Sequence, residues 1–385
     1  MIYLDNAATS FPKPERVRKS LFNWLETGTG TPGRGNHAQA LRSADAVSRV
    51  RRSLARFFGL NNESRLIFCY SATDALNMAI KGFLEEGGHV LISSMEHNSV
   101  LRPLRGMEQD GRISLEIVPC NRQGHLDPDE ILRRFNARTK LVVLSHASNV
   151  TGAIQPIETI GRAVRERGGY LLVDAAQTAG ILPVDIGALS ADMAAFSGHK
   201  GLYGLQGTGG LVVGERVRSL RPWREGGTGF NSLSETQPRE WPEAFESGTH
   251  NVPGILSLGE GLAFIEEQGF EAVRRAEMER FAQLWDALSG VPGVELYGPP
   301  PGEDRIAVLS LNIRGWEPED VGSVLNYNHG IQCRTGLHCS PLAHQTIGTY
   351  PTGSVRLSPG CFTTEEDIQK AIKAIRTLAM TLVPV

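Results

Sequence analysis

Lys200 stands in Ser197-Gly198-His199-Lys200, just past the apolar run Met193-Ala194-Ala195-Phe196. Asp174 closes an earlier apolar run, Tyr170-Leu171-Leu172-Val173. An acid at the end of one strand and a lysine beyond a later one suit pyridoxal phosphate (PLP) chemistry. The lysine would hold the cofactor as a Schiff base, and the acid would pair with its pyridinium nitrogen. That pair restricts the expected reaction to carbanion chemistry on amino compounds. A third reactive group, Cys339, lies in Arg334-Thr335-Gly336-Leu337-His338-Cys339-Ser340-Pro341. The segment follows a β-like run and lies between glycine and proline, so an exposed loop is expected. A thiol beside histidine and near arginine suits a lowered pKa and a useful thiolate fraction. An incidental loop cysteine is the plain alternative.

Something must hold these groups together. Seven short apolar runs, at 66–70, 90–93, 115–118, 141–145, 171–174, 193–196 and 211–213, read as strands. Helical spacing lies between several of them, as at 75–85 and 157–167. This alternation predicts an α/β fold with a mostly parallel sheet. Ligands in such sheets sit beyond the carboxyl ends of the strands, where Asp174 and Lys200 fall. Residues 221–254 break the rhythm with Gly226-Gly227-Thr228-Gly229, Pro238 and Pro242, and read as a long functional loop. Helical spacing over 253–288, a strand at 307–313, a helix at 318–327, a strand at 355–358 and a helix at 365–382 predict a smaller α+β unit. The expected division is a large domain over 14–254 and a small one built from 1–13 and 255–385.

Further residues at predicted strand ends could complete a cofactor site. Ser71-Ala72-Thr73 follows one strand and opens a helix, whose free N–H groups and positive dipole end suit a phosphate. A plain helix cap explains these residues equally well when they are taken alone. His97, in Met95-Glu96-His97-Asn98, offers a ring that could stack on a flat cofactor, or a satisfied histidine. Asn149, in Ser148-Asn149-Val150-Thr151-Gly152, could hold a phenolic oxygen or simply make a turn before glycine. Gln177 could share that oxygen.

Composition narrows the class. With 41% hydrophobic and 21% charged residues the chain reads as a globular enzyme, and its 385 residues suffice for two domains. A net charge of −3 with no long basic run makes nucleic acid a poor partner. No apolar run reaches the roughly 20 residues that span a bilayer, and no leader pattern opens the chain. A cytoplasmic location away from the membrane is therefore expected. The five cysteines include no CxxC pair, which argues against a disulfide framework and a structural zinc site. Cys69, Cys333 and Cys361 read as ordinary buried thiols.

With these motifs on the page, the chain resembles class V aminotransferases of PLP fold type I, and within them the cysteine desulfurase and selenocysteine lyase group. The likeness is carried in order by Tyr3-Leu4-Asp5-Asn6-Ala7-Ala8-Thr9, Ser71-Ala72-Thr73-Asp74, Met95-Glu96-His97-Asn98, Asn149-Val150-Thr151-Gly152, Asp174-Ala175-Ala176-Gln177, Ser197-Gly198-His199-Lys200 and Phe245-Glu246-Ser247-Gly248-Thr249. The resemblance implies that Lys200 is the Schiff-base lysine, that Asp174 pairs with the pyridine nitrogen and that His97 stacks on the ring. Thr73, Ser197, His199 and the backbone of Ala72 would hold the phosphate, with Asn149 and Gln177 by the phenolic oxygen. It also implies a homodimer in which Thr249 reaches the neighbouring subunit's phosphate. Arg-x-Gly-x-His-Cys resembles the short catalytic loop of the desulfurases and makes Cys339 the nucleophile that takes sulfur from L-cysteine. Arg356 would clamp the substrate carboxylate, as a guanidinium can through two parallel bonds. His37 would lie in the substrate-entry region.

Two departures from the family pattern stand out. Gly201 follows Lys200, and Leu202-Tyr203-Gly204-Leu205-Gln206-Gly207-Thr208-Gly209 is longer than usual there. Leu337 replaces a residue that is often histidine, a change that bears on sulfur transfer or acceptor choice. Expected partners are L-cysteine or selenocysteine and a sulfur-acceptor protein. The alternatives are a selenocysteine lyase, another class V transaminase or lyase, and a non-catalytic scaffold in sulfur trafficking.

Overall fold

The structure is a computed structural model and describes residues 1–27, 30–33, 35–302 and 304–381. It opens with strand β1 (Ile2–Tyr3) and helices α1 (Glu15–Thr27) and α2 (Ala38–Phe57). Strands β2 (Leu66–Cys69), β3 (Gly88–Ser93), β4 (Ile113–Val118), β5 (Thr139–Ser145), β6 (Tyr170–Asp174), β7 (Met193–Ser197) and β8 (Gly209–Val213) follow. Helices α3 (Ala72–Phe83), α4 (Asn98–Gln109), α5 (Pro128–Arg134) and α6 (Ile157–Glu166) alternate with them. Each of the seven apolar runs is one of these strands. Together they form one sheet in the order β2-β8-β7-β6-β5-β3-β4.

Only β8 runs against its neighbours, so β2, β3, β5, β6 and β7 bring their carboxyl ends to one edge. The strands are buried on both faces, as a helix-covered parallel sheet requires. Val90, Ile92, Leu141, Val143 and Leu172 point into a core that includes Ala75 and Leu76 of α3 and Val100 and Leu104 of α4. The alternate residues Leu91, Val142, Leu144, Leu171 and Val173 point into a second core, with residues of α2 and α6.

After the long 221–251 segment come α7 (Val252–Gln268) and α8 (Phe270–Leu288). The helical stretch expected over 253–288 is broken at Gly269, whose φ of 83° suits glycine. Val252, Ile255, Leu258, Leu262 and Ile265 of α7 join the second core of the large sheet. The first helix assigned from sequence to the small domain thus packs with the large one. The small sheet holds β9 (Val294–Tyr297), β10 (Leu309–Ile313), β12 (Arg334–Gly336) and β13 (Ser354–Leu357), in the antiparallel order β12-β13-β10-β9. Helix α9 (Pro318–His329), strand β11 (Ile331–Gln332), helix α10 (Pro341–Ile347) and helix α11 (Glu365–Met380) complete the chain. The expected end of the last helix, Leu382, lies outside the described residues.

The third core gathers Phe281 and Leu284 of α8, Val321 and Leu325 of α9 and Ile368 and Ile375 of α11 against Leu309, Leu311, Val355 and Leu357. Residues 2–5 belong to this unit. Ile2 pairs with Ile331 in parallel, and Asp5 bridges to Ser358.

Candidate active site

The carboxyl edge of the large sheet holds a cavity beneath the first turn of α3. Ala72 and Thr73 are the first residues of that helix, behind the N-cap Ser71, whose hydroxyl accepts from the Asp74 N–H. Ser197 and His199 line the cavity beside them, with Lys200, Asp174 and Gln177 further along and His97 and Asn149 across from them. Nine residues predicted from sequence therefore share one cavity.

Burial sets the charge state of the principal groups. It pulls Lys200 down to about 8, against the opposing pull of Asp174. The same effect raises the Asp174 carboxyl above its ordinary value, while the Ala176 N–H and Lys200 draw it back. His97 is pushed down to about 4, by burial first and then by Lys200, Arg334 and Arg356, so its ring is neutral at physiological pH. It caps α4, with Nδ1 accepting from the Ser99 N–H at 3.1 Å. The Ser99 hydroxyl lies 2.7 Å from that of Thr73, so His97 and the helix entrance are tied through one serine.

These residues fit PLP. The positive end of α3 stands beside Thr73, Ser197 and His199, and His199 Nδ1 is buried with no partner among the described residues. That is the donor set a phosphate takes up. At the other end an acid sits within the electrostatic reach of a lysine whose amine is readily freed of its proton.

The lysine's backbone is fixed from two sides. The His199 carbonyl accepts from the Ser10 N–H at 3.0 Å, from the Thr9 and Ser10 hydroxyls at 3.1 Å each and from Lys13 Nζ at 3.0 Å. Gly201 is demanded by close approach: a Cβ there would stand 2.6 Å from the Ala179 carbonyl and 2.8 Å from Ile181 Cγ1. The long loop behind it anchors Tyr203, which adopts a left-handed φ of 56°. Its hydroxyl meets Cys361 Sγ at 3.0 Å and Glu277 at 3.4 Å. Burial pushes the thiols of Cys361 and Cys333 up to about 12 each, which keeps both protonated. Cys69 is buried as expected.

Cys339 is the exposed cysteine of the molecule. Its loop departs from the sequence picture in one respect. His338 turns away from the thiol into the small unit, where its Nε2 lies 3.3 Å from the Ser354 hydroxyl and its ring packs on His344. The side chain that does reach the sulfur is Arg334, whose Nη2 donates at 3.5 Å. Both His338 and Cys339 have left-handed φ values, 49° and 59°, a conformation that costs a side-chain-bearing residue about 1–2 kcal/mol. The Cys339 carbonyl accepts from the Asn98 N–H at 2.7 Å. The Asn149 amide donates to the His338 carbonyl at 2.8 Å and accepts from the Ser340 hydroxyl at 2.7 Å. Asn149 was expected to face the cofactor; its amide also holds the loop. Gln177 likewise donates to the Ala7 carbonyl at 3.0 Å.

Arg356 is fully buried on β13, where it pairs with Asp5 at 2.9 Å and donates to the Asn149 carbonyl at 3.1 Å. Its Nε has no partner among the described residues. Sequence reasoning missed Asp5 as its counter-ion, and it placed Arg334 near the thiol without seeing it as a neighbour of Arg356. Arg334 stands directly opposite Arg356 in the β12–β13 ladder, a pairing visible only once the register is known. Besides Cys339 and Arg356, two more predicted residues, His37 and Thr249, are not among those that line the cavity. His37 is an exposed cap of α2, its Nδ1 facing the Ala40 N–H at 3.4 Å. Thr249 is exposed and lines a separate pocket with Tyr70 and Arg224.

A family model described as Aminotransferase class-V matches residues 2–371. A probable cysteine desulfurase of Methanothermobacter thermautotrophicus is 31% identical over 98% of this chain and 94% of that protein. A cysteine desulfurase of Escherichia coli O127:H6 is 30% identical over 98% of this chain and 93% of its own length. Among solved structures, the apo cysteine desulfurase of Thermococcus onnurineus superposes with a TM-score of 0.92 at 29% identity, covering 98% of this chain and 94% of that one. An Escherichia coli cysteine desulfurase, solved as its S-sulfonic acid, gives 0.89 at 26% identity, covering 99% and 95%.

Proposed function

This chain belongs to the class V aminotransferase family, and from that premise we propose that it is a PLP-dependent cysteine desulfurase. It converts L-cysteine to L-alanine and leaves the sulfur as a persulfide on Cys339, for an acceptor protein to collect. The reaction balances as written: L-cysteine and a thiol become L-alanine and a persulfide, with no external oxidant or reductant. The observation that carries the reading is an exposed thiol, with a guanidinium at 3.5 Å, on a loop tied to a residue of the Lys200 cavity.

Bound PLP supplies the electron sink that makes bond breaking beside an amino group feasible. The protein supplies the rest. Ala72, Thr73, Ser197 and His199 would hold its phosphate, Asp174 would pair with its ring nitrogen, the neutral His97 ring would stack on it, and Asn149 and Gln177 would serve its phenolic oxygen. Lys200 accepts and returns a proton at Nζ, which its depressed basicity permits near neutral pH. Arg356 meets the substrate carboxylate, with Arg334 as the second cation at that end. Cys339 is the nucleophile.

The assembly we propose is a homodimer. Thr249 lines a different pocket from Lys200 and would serve the neighbouring subunit's phosphate. Phe22, Leu25, Leu41 and Phe230 are large exposed apolar side chains, and α2 and residues 228–230 line one groove that a second copy would cover. No helix among the described residues is long and apolar enough to cross a membrane.

Incubating PLP-loaded protein with L-cysteine and a reductant should yield alanine and sulfide in equal amounts; production of neither rejects the reading. Faster turnover of selenocysteine that survives Cys339→Ala would mark a selenocysteine lyase. A 2-oxo acid formed with a second amino acid would mark a transaminase.

A further inference from the structure

Ser340 sits between the nucleophile and α10, is wholly buried, and directs its hydroxyl onto the Asn149 side chain. Asn149 is the sole residue among those lining the Lys200 cavity whose side chain hydrogen-bonds the Cys339 loop. It grips that loop on both sides of the thiol, through the His338 carbonyl at 2.8 Å and the Ser340 hydroxyl at 2.7 Å. One amide hydrogen and one lone pair remain free to face the cavity. Two successive left-handed residues, His338 and Cys339, would not hold that shape unaided, and the sulfur itself is anchored only by Arg334.

We propose that Ser340 is a positioning residue that couples the cofactor cavity to the nucleophile: occupancy of the cavity fixes the Asn149 amide, and Ser340 passes that constraint to Cys339. This deepens the desulfurase reading and rests on it for the identity of the nucleophile. The geometry also gives the coupling a direction. A cofactor contact that orders Asn149 leaves the loop in its strained, thiol-presenting form. Without a cofactor contact the amide is held by its two loop bonds alone, and the loop leaves this form more often.

The test measures the alkylation rate of Cys339 by iodoacetamide, followed by mass spectrometry, on the full chain with and without PLP. In the wild type, PLP should raise this rate about fivefold, the lower range of ordinary coupling between sites. In Ser340→Ala the change should fall below about twofold, with PLP still bound and its absorption unaltered. Ser340→Thr, which keeps the hydroxyl, should restore the coupling. On the desulfuration assay, Ser340→Ala should lower kcat while KM for L-cysteine stays the same. A merely structural serine would lower the melting temperature and leave the PLP effect on alkylation intact; that result overturns the proposal, as does a wild type whose alkylation ignores PLP. The alkylation arm needs no substrate. It therefore stands or falls separately from the desulfurase assignment.

Discussion

The two reactive regions of the molecule are built on opposite principles. Lys200 and Asp174 emerge from neighbouring strands of a buried sheet, and their positions follow from strand register. Cys339 sits exposed on a loop of the smaller unit, in a backbone conformation that strands and helices do not use. Its position follows from a few hydrogen bonds to residues far away in sequence. The first region sets charge by burial; the second keeps a thiol in reach of solvent. A site that must both bind a cofactor tightly and hand on a product benefits from that division.

The sharpest way to separate the regions is to disable each chemically. Lys200→Ala should lower alanine formation by more than about 10³-fold, the upper range for a proton-transfer group, as measured by amino-acid analysis. Cys339→Ala should lower sulfide release by about 10²-fold and leave PLP absorption unchanged. If the variant retains full desulfuration, the nucleophile is misassigned and the contrast between the regions collapses. Arg334→Ala should lower the rate by about tenfold, equivalent to ~1.4 kcal/mol, because it removes a cation at hydrogen-bond distance of the sulfur.

A pH series sharpens the first region. Burial holds Lys200 at about 8, so below that pH the amine is mostly protonated and cannot attack an aldehyde. PLP uptake by the apoprotein should rise about tenfold per pH unit up to 8 and then level off. A plateau reached only near 10 would mean that the lysine is not desolvated. The smallest effect is on stability. Gly201→Ala places a Cβ 2.6 Å from the Ala179 carbonyl and should destabilise the fold by about 1–3 kcal/mol, seen as a lower melting temperature.

Legibility in the sequence followed the same division. The strands of the large sheet are continuous apolar runs, because both faces are buried, and such runs are visible locally. Asp174 and Lys200 were found because a strand end is a local signal. The clamp on the Cys339 loop was not visible, since Asn149 and Ser340 lie 191 residues apart and either serine or asparagine in a turn has local explanations. Arg356 was identified, but Asp5 was not seen as its partner for the same reason. His37 was read for chemistry, whereas its ring stands at a helix start, a place histidine rarely takes and that pattern alone does not reveal. The unusual segment after Lys200 was noticed. Its meaning, a backbone passing against Ala179 and a tyrosine seated on Glu277 and Cys361, needed the third dimension.

The segment over residues 2–13 has a consequence for how the molecule is made. Its strand partner is Ile331, its ion-pair partner is Arg356, and its hydroxyls and Lys13 close over the His199 carbonyl. On the ribosome these residues emerge hundreds of positions before the strands they join. Residues 2–5 must wait for Ile331 and Arg356, whereas Thr9, Ser10 and Lys13 find the His199 carbonyl earlier. The large sheet can form in the meantime, but the segment is fully paired only when residues 331 and 356 have joined it. A nascent chain interrupted before residue 331 would therefore carry residues 2–5 without their strand partner and without Arg356, the counter-charge of Asp5.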